Sequence, residues 1–172
     1  MSNALQQGNA DGLCGLYSVL NFLMTLDDWR GEEPVNALEY VLEAADAEGV
    51  LSPKWLTNGY RSSELKGILN RIFDRWWMPF QAHFLCEIER KDDETAFTVY
   101  QRIISAGGAL IGGSDSRSHW LLFLSIDGAQ KIMDSANSCN PVRTFDGRSK
   151  SFCSEDSIVI LPSPRATVSI EL

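Results

Sequence analysis

The stretch "SHWLLFLSIDGAQKIMDS", residues 118–135, decides the fold. Two apolar runs are split by Asp127-Gly128, a dipeptide suited to the positive φ values of a two-residue hairpin turn. With those residues as the loop, Ile126 faces Ala129 and Leu121 faces Asp134. His119 lies two residues before Leu121, on the same side of the pleat, and Asp134 shares that side. The hairpin thus predicts His119 and Asp134 as diagonal cross-strand neighbours, with Cα atoms ~7–8 Å apart and side chains within reach. A one-residue bulge would turn Asp134 away and present Ser135 or Asn137 instead. Trp120 faces the opposite way from His119, so its indole is expected in the core.

Outward from the hairpin, "ALIGG" (109–113) and "SIVILP" (157–162) are further short apolar strands bounded by turn residues. A polar loop is expected between the hairpin and the last strand, from about Asn137 to Asp156. Upstream the period changes. Leu13, Leu16, Tyr17, Leu20, Leu23 and Met24 form one apolar face of a helix over residues 12–26, which Asn9 or Asp11 can cap. Pro34 and Gly49 bracket a second helix, Val35–Ala47. A third spans Ser63–Arg75, and "ETAFTVYQRIISAGG" reads as a fourth, closed by Gly107. Between them "WWMPFQAHFLCEIE", residues 76–89, reads as extended. Helices first and strands later predict an α+β fold, with an antiparallel sheet packed against the opening helix.

The bulk numbers bound the function. A length of 172 residues with 44% hydrophobic residues predicts one globular domain, with residues 163–172 a loose tail or an added edge strand. A net charge of −8 argues against nucleic acid, whose phosphates need clustered Lys and Arg. No run is long and apolar enough for a membrane span, and no signal-peptide pattern opens the chain. The expected location is cytoplasmic, or outside the cell by a route without a recognisable signal peptide. Cysteines at 14, 86, 139 and 153 form no metal-ligand spacing, and the chain has two histidines, so no structural metal and no cofactor is expected. Free thiols are the default without an export signal.

One of those thiols is placed for chemistry. In "QQGNADGLCGLYSVLNFL", residues 6–23, Cys14 falls in the first helical turn, near unsatisfied N–H groups and the positive end of the helix dipole. Both favour the thiolate, the nucleophilic form. Gly12 and Gly15 leave little bulk beside it, and Ser18, Asn21 and Thr25 continue a polar strip from it. A buried inert cysteine is the competing reading, because Cys is a common core residue. A thiolate needs a base. His119 has Asp134 to orient it, whereas the rival, His83 in "QAHFLCEIE", has no comparable acidic partner in the sequence.

A glutamine, a Cys-Gly opening an apolar helix, a His on one strand and an Asp on the next resemble the papain-like cysteine peptidases. The layout of "GALIGG", "SHWLLFLS" and "KIMDS" most resembles the branch that includes bacteriocin-leader-processing peptidases. The resemblance implies a papain-like fold and roles for Cys14 as nucleophile, His119 as general base and acid, and Asp134 as its orienting partner. It also implies an oxyanion-donating glutamine five or six positions before the cysteine. Gln7 lies seven before and Gln6 eight, so Gln7 fits with one extra loop residue, and Gln6 and Asn9 stay open. The implied activity is cleavage of a peptide or other amide bond in a protein or peptide substrate, through a thioester and without a cofactor. The same triad also serves acyltransferases and transglutaminases, and a papain-like domain can persist as an inactive binding module.

Overall fold

The computed structural model describes residues 13–26, 33–52, 59–114, 119–135, 142–145 and 154–163. Its centre is the hairpin of β3 (His119–Ile126) and β4 (Ala129–Met133). Ile126 pairs with Ala129 and Leu122 with Met133, the register that the two-residue loop predicts. Asp127 and Gly128 have φ of 52° and 75°, the left-handed pair that a type I′ turn needs to match strand twist.

Four further strands complete an all-antiparallel sheet: β1 (Phe80–Phe84), β2 (Ala109–Ser114), β5 (Val142–Thr144) and β6 (Ile158–Pro162). Their order is β1-β6-β2-β3-β4-β5. Strand alternation splits the apolar residues into two layers. Ala109, Ile111, Leu122, Leu124, Met133, Ile158 and Ile160 face α1 (Cys14–Leu23), α2 (Pro34–Ala47) and α3 (Ser62–Arg75). Leu110, Leu121, Phe123, Ile132 and Val159 face α4 (Ala96–Ser105). No helix among the described residues is long and apolar enough to cross a membrane.

The helices keep the faces that their periods define. Leu65, Ile68, Leu69, Ile72 and Phe73 of α3 are all buried. Several expectations change. α1 begins at Cys14 with Leu13 at its N-cap position and no side-chain cap bond from it; the expected caps Asn9 and Asp11 lie outside the described residues. The extended segment 76–89 contains only the five residues of β1, followed by a 3-10 turn at Leu85–Glu87. Helices and strands are not segregated either, because β1 precedes α4 and α4 covers the sheet face opposite α1. The polar loop after β4 holds β5, too short to leave a periodic signal in sequence. Its pairing to β4 and the burial of Phe145 against Tyr100 and Phe123 hold it there. Ser163 N–H donates to Pro79 O at 2.8 Å, and the rest of the expected tail lies outside the described residues.

An edge strand offers unpaired backbone groups, and β1 is an edge. Asn70 of α3 satisfies them: Ala82 N–H donates to Asn70 Oδ1 at 2.8 Å, and Asn70 Nδ2 donates to Ala82 O at 3.1 Å. Asn70→Ala leaves both buried groups unpartnered on that side and is expected to lower stability by about 1–3 kcal/mol. A urea titration against the parent chain measures it; an unchanged midpoint would show that water replaces the amide.

Candidate active site

Cys14 is the first residue of α1, and the first intrahelical bond runs from Tyr17 N–H to Leu13 O at 2.9 Å. The N–H groups of Cys14, Gly15 and Leu16 therefore find no acceptor within the helix. The start of α1 lies against the start of β3: Trp120 N–H donates to Cys14 Sγ at 3.5 Å. Trp120 sends its indole into the core on the α1 side, where Nε1–H donates to Tyr60 O at 3.0 Å. Alternation then sends His119 to the α4 side. The thiol and the imidazole thus stem from opposite faces of the sheet, and they meet at its end because His119 is the first residue of β3.

Gly15 sets how closely α1 approaches. A Cβ there would lie 2.9 Å from both methyls of Leu65 and 3.2 Å from Trp120 Cδ1. Its missing side chain serves packing of the helix, a different role from the open approach to sulfur that the sequence implied.

Asp134 follows the last residue of β4 on the same face as His119. His119 Nε2–H donates to Asp134 Oδ1 at 2.8 Å, and the carboxylate, which can only accept, fixes the proton on that nitrogen. Nδ1 is then the nitrogen left for the thiol, and Cys14 lies close enough to His119 to act on its titration. The Asp134 bond first, and Cys14 second, raise the imidazole pKa from 6.5 to about 9 against the opposing pull of burial. Cys14 is 4% exposed and Asp134 8%. The His119 side chain is 18% exposed, so the ring is where this cluster meets water.

Of the residues singled out from sequence, the structure brings Cys14, His119 and Asp134 together. Gln7, Gln6, Asn9 and Gly12 lie outside the described residues, as do Cys139 and Cys153; Cys14 and Cys86 are free thiols. His83 is on β1, three strand spacings from β3, hence about 14 Å away across the sheet. Contrary to the expectation, it does have an acidic neighbour: His83 Nδ1 is 3.9 Å from Glu87 Oε2. That carboxylate is already held by Lys66 Nζ at 2.7 Å and Phe84 N–H at 2.8 Å. The Lys66 bond, with the Phe84 bond next, keeps its pKa below the usual range.

Two partners escaped the sequence. Trp120 N–H is a backbone group, which no residue type announces. Arg143 of β5 donates from Nη2 to Asp134 Oδ2 at 3.3 Å, and only the pairing of Arg143 with Ile132 puts it on that face. Among the described residues no group of three His, Cys, Asp or Glu could hold a metal ion. His119 and Asp134 are bonded to each other, not aimed at a common point. A cavity of about 580 Å³ lies at the other end of α1 and β3, lined by Phe22, Phe80, Leu124 and Asp127 among others, away from this cluster.

No family model, curated protein or solved structure matches the chain. The chemistry of the cluster therefore rests on its geometry.

Proposed function

We propose that the chain is a papain-like cysteine hydrolase that cleaves a peptide or another amide bond. One observation carries the reading: a single imidazole hydrogen-bonded to a buried carboxylate and set beside a thiol at a helix N-terminus. The resemblance of "CGLYSVLNFL" and "HWLLF" to papain-like peptidases supports it from sequence.

The Cys14 thiolate attacks the amide carbonyl carbon, and the carbonyl electron pair moves onto oxygen. First-turn N–H groups of α1 are candidate donors for that oxyanion, with Gln7 the side-chain candidate. Collapse of the adduct breaks the C–N bond, and the Nδ1 proton of His119 goes to the leaving amine. The acyl group remains on Sγ as a thioester. Water then attacks this carbonyl and gives its proton to Nδ1, so the acid leaves and the thiolate returns. Asp134 holds the ring in the tautomer that both steps use.

The test is a set of peptides ending in an electrophilic vinyl sulfone, followed by digestion and mass spectrometry. The expected adduct is on Cys14, and exposed Cys86 is the internal reference for plain accessibility. Labelling of Cys86 alone would overturn the reading. A reactive peptide then assigns the acceptor: a free acid in the presence of added amine means hydrolysis, and a new amide means acyl transfer.

A further inference from the structure

Asp134 carries two cations, not one. His119 takes Oδ1 at 2.8 Å, and Arg143 reaches Oδ2 at 3.3 Å. We infer that Arg143 is a positioning residue for the general base: by sharing the Asp134 carboxylate it eases release of the His119 Nδ1 proton. Its value to catalysis rests on the thiol reading above, whereas its effect on His119 does not.

The placement is built into the sheet. Arg143 pairs with Ile132, so the two share a face, and Asp134 stands two residues along that face. Phe145, two residues after Arg143, is clamped among Phe97, Tyr100 and Phe123. This fixes β5, although it is a three-residue edge strand. The Arg143 side chain is 40% exposed, yet its Nε is buried with no hydrogen-bond partner among the described residues. A charge held partly out of water in this way belongs beside a carboxylate.

The chemical need is clear from the two half-reactions. Acylation wants an imidazolium, which a strong carboxylate partner maintains. Hydrolysis of the thioester wants a neutral imidazole, which the same carboxylate opposes. A second cation on the far oxygen weakens the pull on His119 without breaking the orienting bond. Among the described residues, the titratable groups facing the ring are Cys14 from α1 and Asp134 from the end of β4, with Arg143 of β5 behind the carboxylate. Lys131 of β4 points to the other side of the sheet, where its Nζ donates to Thr144 Oγ1 at 3.0 Å.

The full chain, ¹⁵N-labelled, allows a direct test, because only two imidazoles exist and His83→Gln identifies the other. Arg143→Met keeps the aliphatic stem and removes the charge. The His119 titration midpoint is expected to rise by about half a unit in Arg143→Met and to return to the parent value in Arg143→Lys. Equal midpoints in all three chains, or a lowered one in Arg143→Met, would overturn the inference. Should Arg143→Met fail to fold, Arg143→Gln and Arg143→Lys give the same comparison. The inference and the catalytic reading fail separately. A raised midpoint with an unreactive Cys14 keeps the Arg143 coupling and removes the hydrolase, whereas a reactive Cys14 with unmoved midpoints does the reverse.

Discussion

Between pH 6 and pH 9 the rate of iodoacetamide alkylation at Cys14 is expected to change by less than about fivefold, and His119→Ala is expected to restore a rise of about 200-fold. The second figure is that of an ordinary thiol of pKa ~8.5, which is almost wholly protonated at pH 6 and largely thiolate at pH 9. The first is what the proposed thiolate–imidazolium pair requires. His119 keeps its charge up to about pH 9, so a cation stands beside the sulfur through the whole interval. Trp120 N–H adds a fixed donor on Sγ. Burial of Cys14 slows alkylation at every pH, and for that reason the comparison is a ratio within one cysteine. Cys86, exposed and in the same tube, supplies the ordinary profile. A steep Cys14 profile in the parent chain, parallel to that of Cys86, would reduce Cys14 to a core residue and remove the nucleophile.

The second large effect is on folding. His119 has a folded pKa of about 9 against an unfolded value of 6.5, so the folded state binds its proton more tightly. Below pH 6.5 the imidazole is protonated in both states and its contribution is fully present. The contribution declines as pH rises from 6.5 and is gone above about 9. Its size is about 2 kcal/mol, less than the full shift implies, because the ring keeps contact with water. Urea unfolding of the parent chain and His119→Gln at pH 6, 7.5 and 9.5 measures it as a difference, in which the other titrating groups cancel. The gap should be widest at pH 6 and narrow steadily; a gap that is constant across that range would deny the Asp134–His119 bond its role. Asp134→Asn should carry the His119 midpoint back towards 6.5, since that bond is the largest cause of the shift.

Both experiments probe a contact that was partly legible before any coordinates. Asp127-Gly128 dictates the loop, the loop dictates the register, and the period of two puts His119 and Asp134 on one face. Cys14 at a helix start was legible from the apolar spacing that follows it. Arg143 was not, because three residues in a polar stretch carry no period, and their alignment comes from β4 and from Phe145 packing elsewhere. Gly15 was legible as a small residue, but the reason for its size lies in Leu65 and Trp120, distant in the chain.

Local rules thus settled the helices, the central hairpin and which side chains share a face, since turn geometry and side-chain period act over a few residues. Tertiary structure decided that α1 covers one face of the sheet and α4 the other, and that Cys14 and His119 meet at its end. Burial of two apolar layers selects that arrangement, and burial depends on residues a hundred positions apart. The sequence lists Cys14, His119 and Asp134; packing brings them to one end of the sheet.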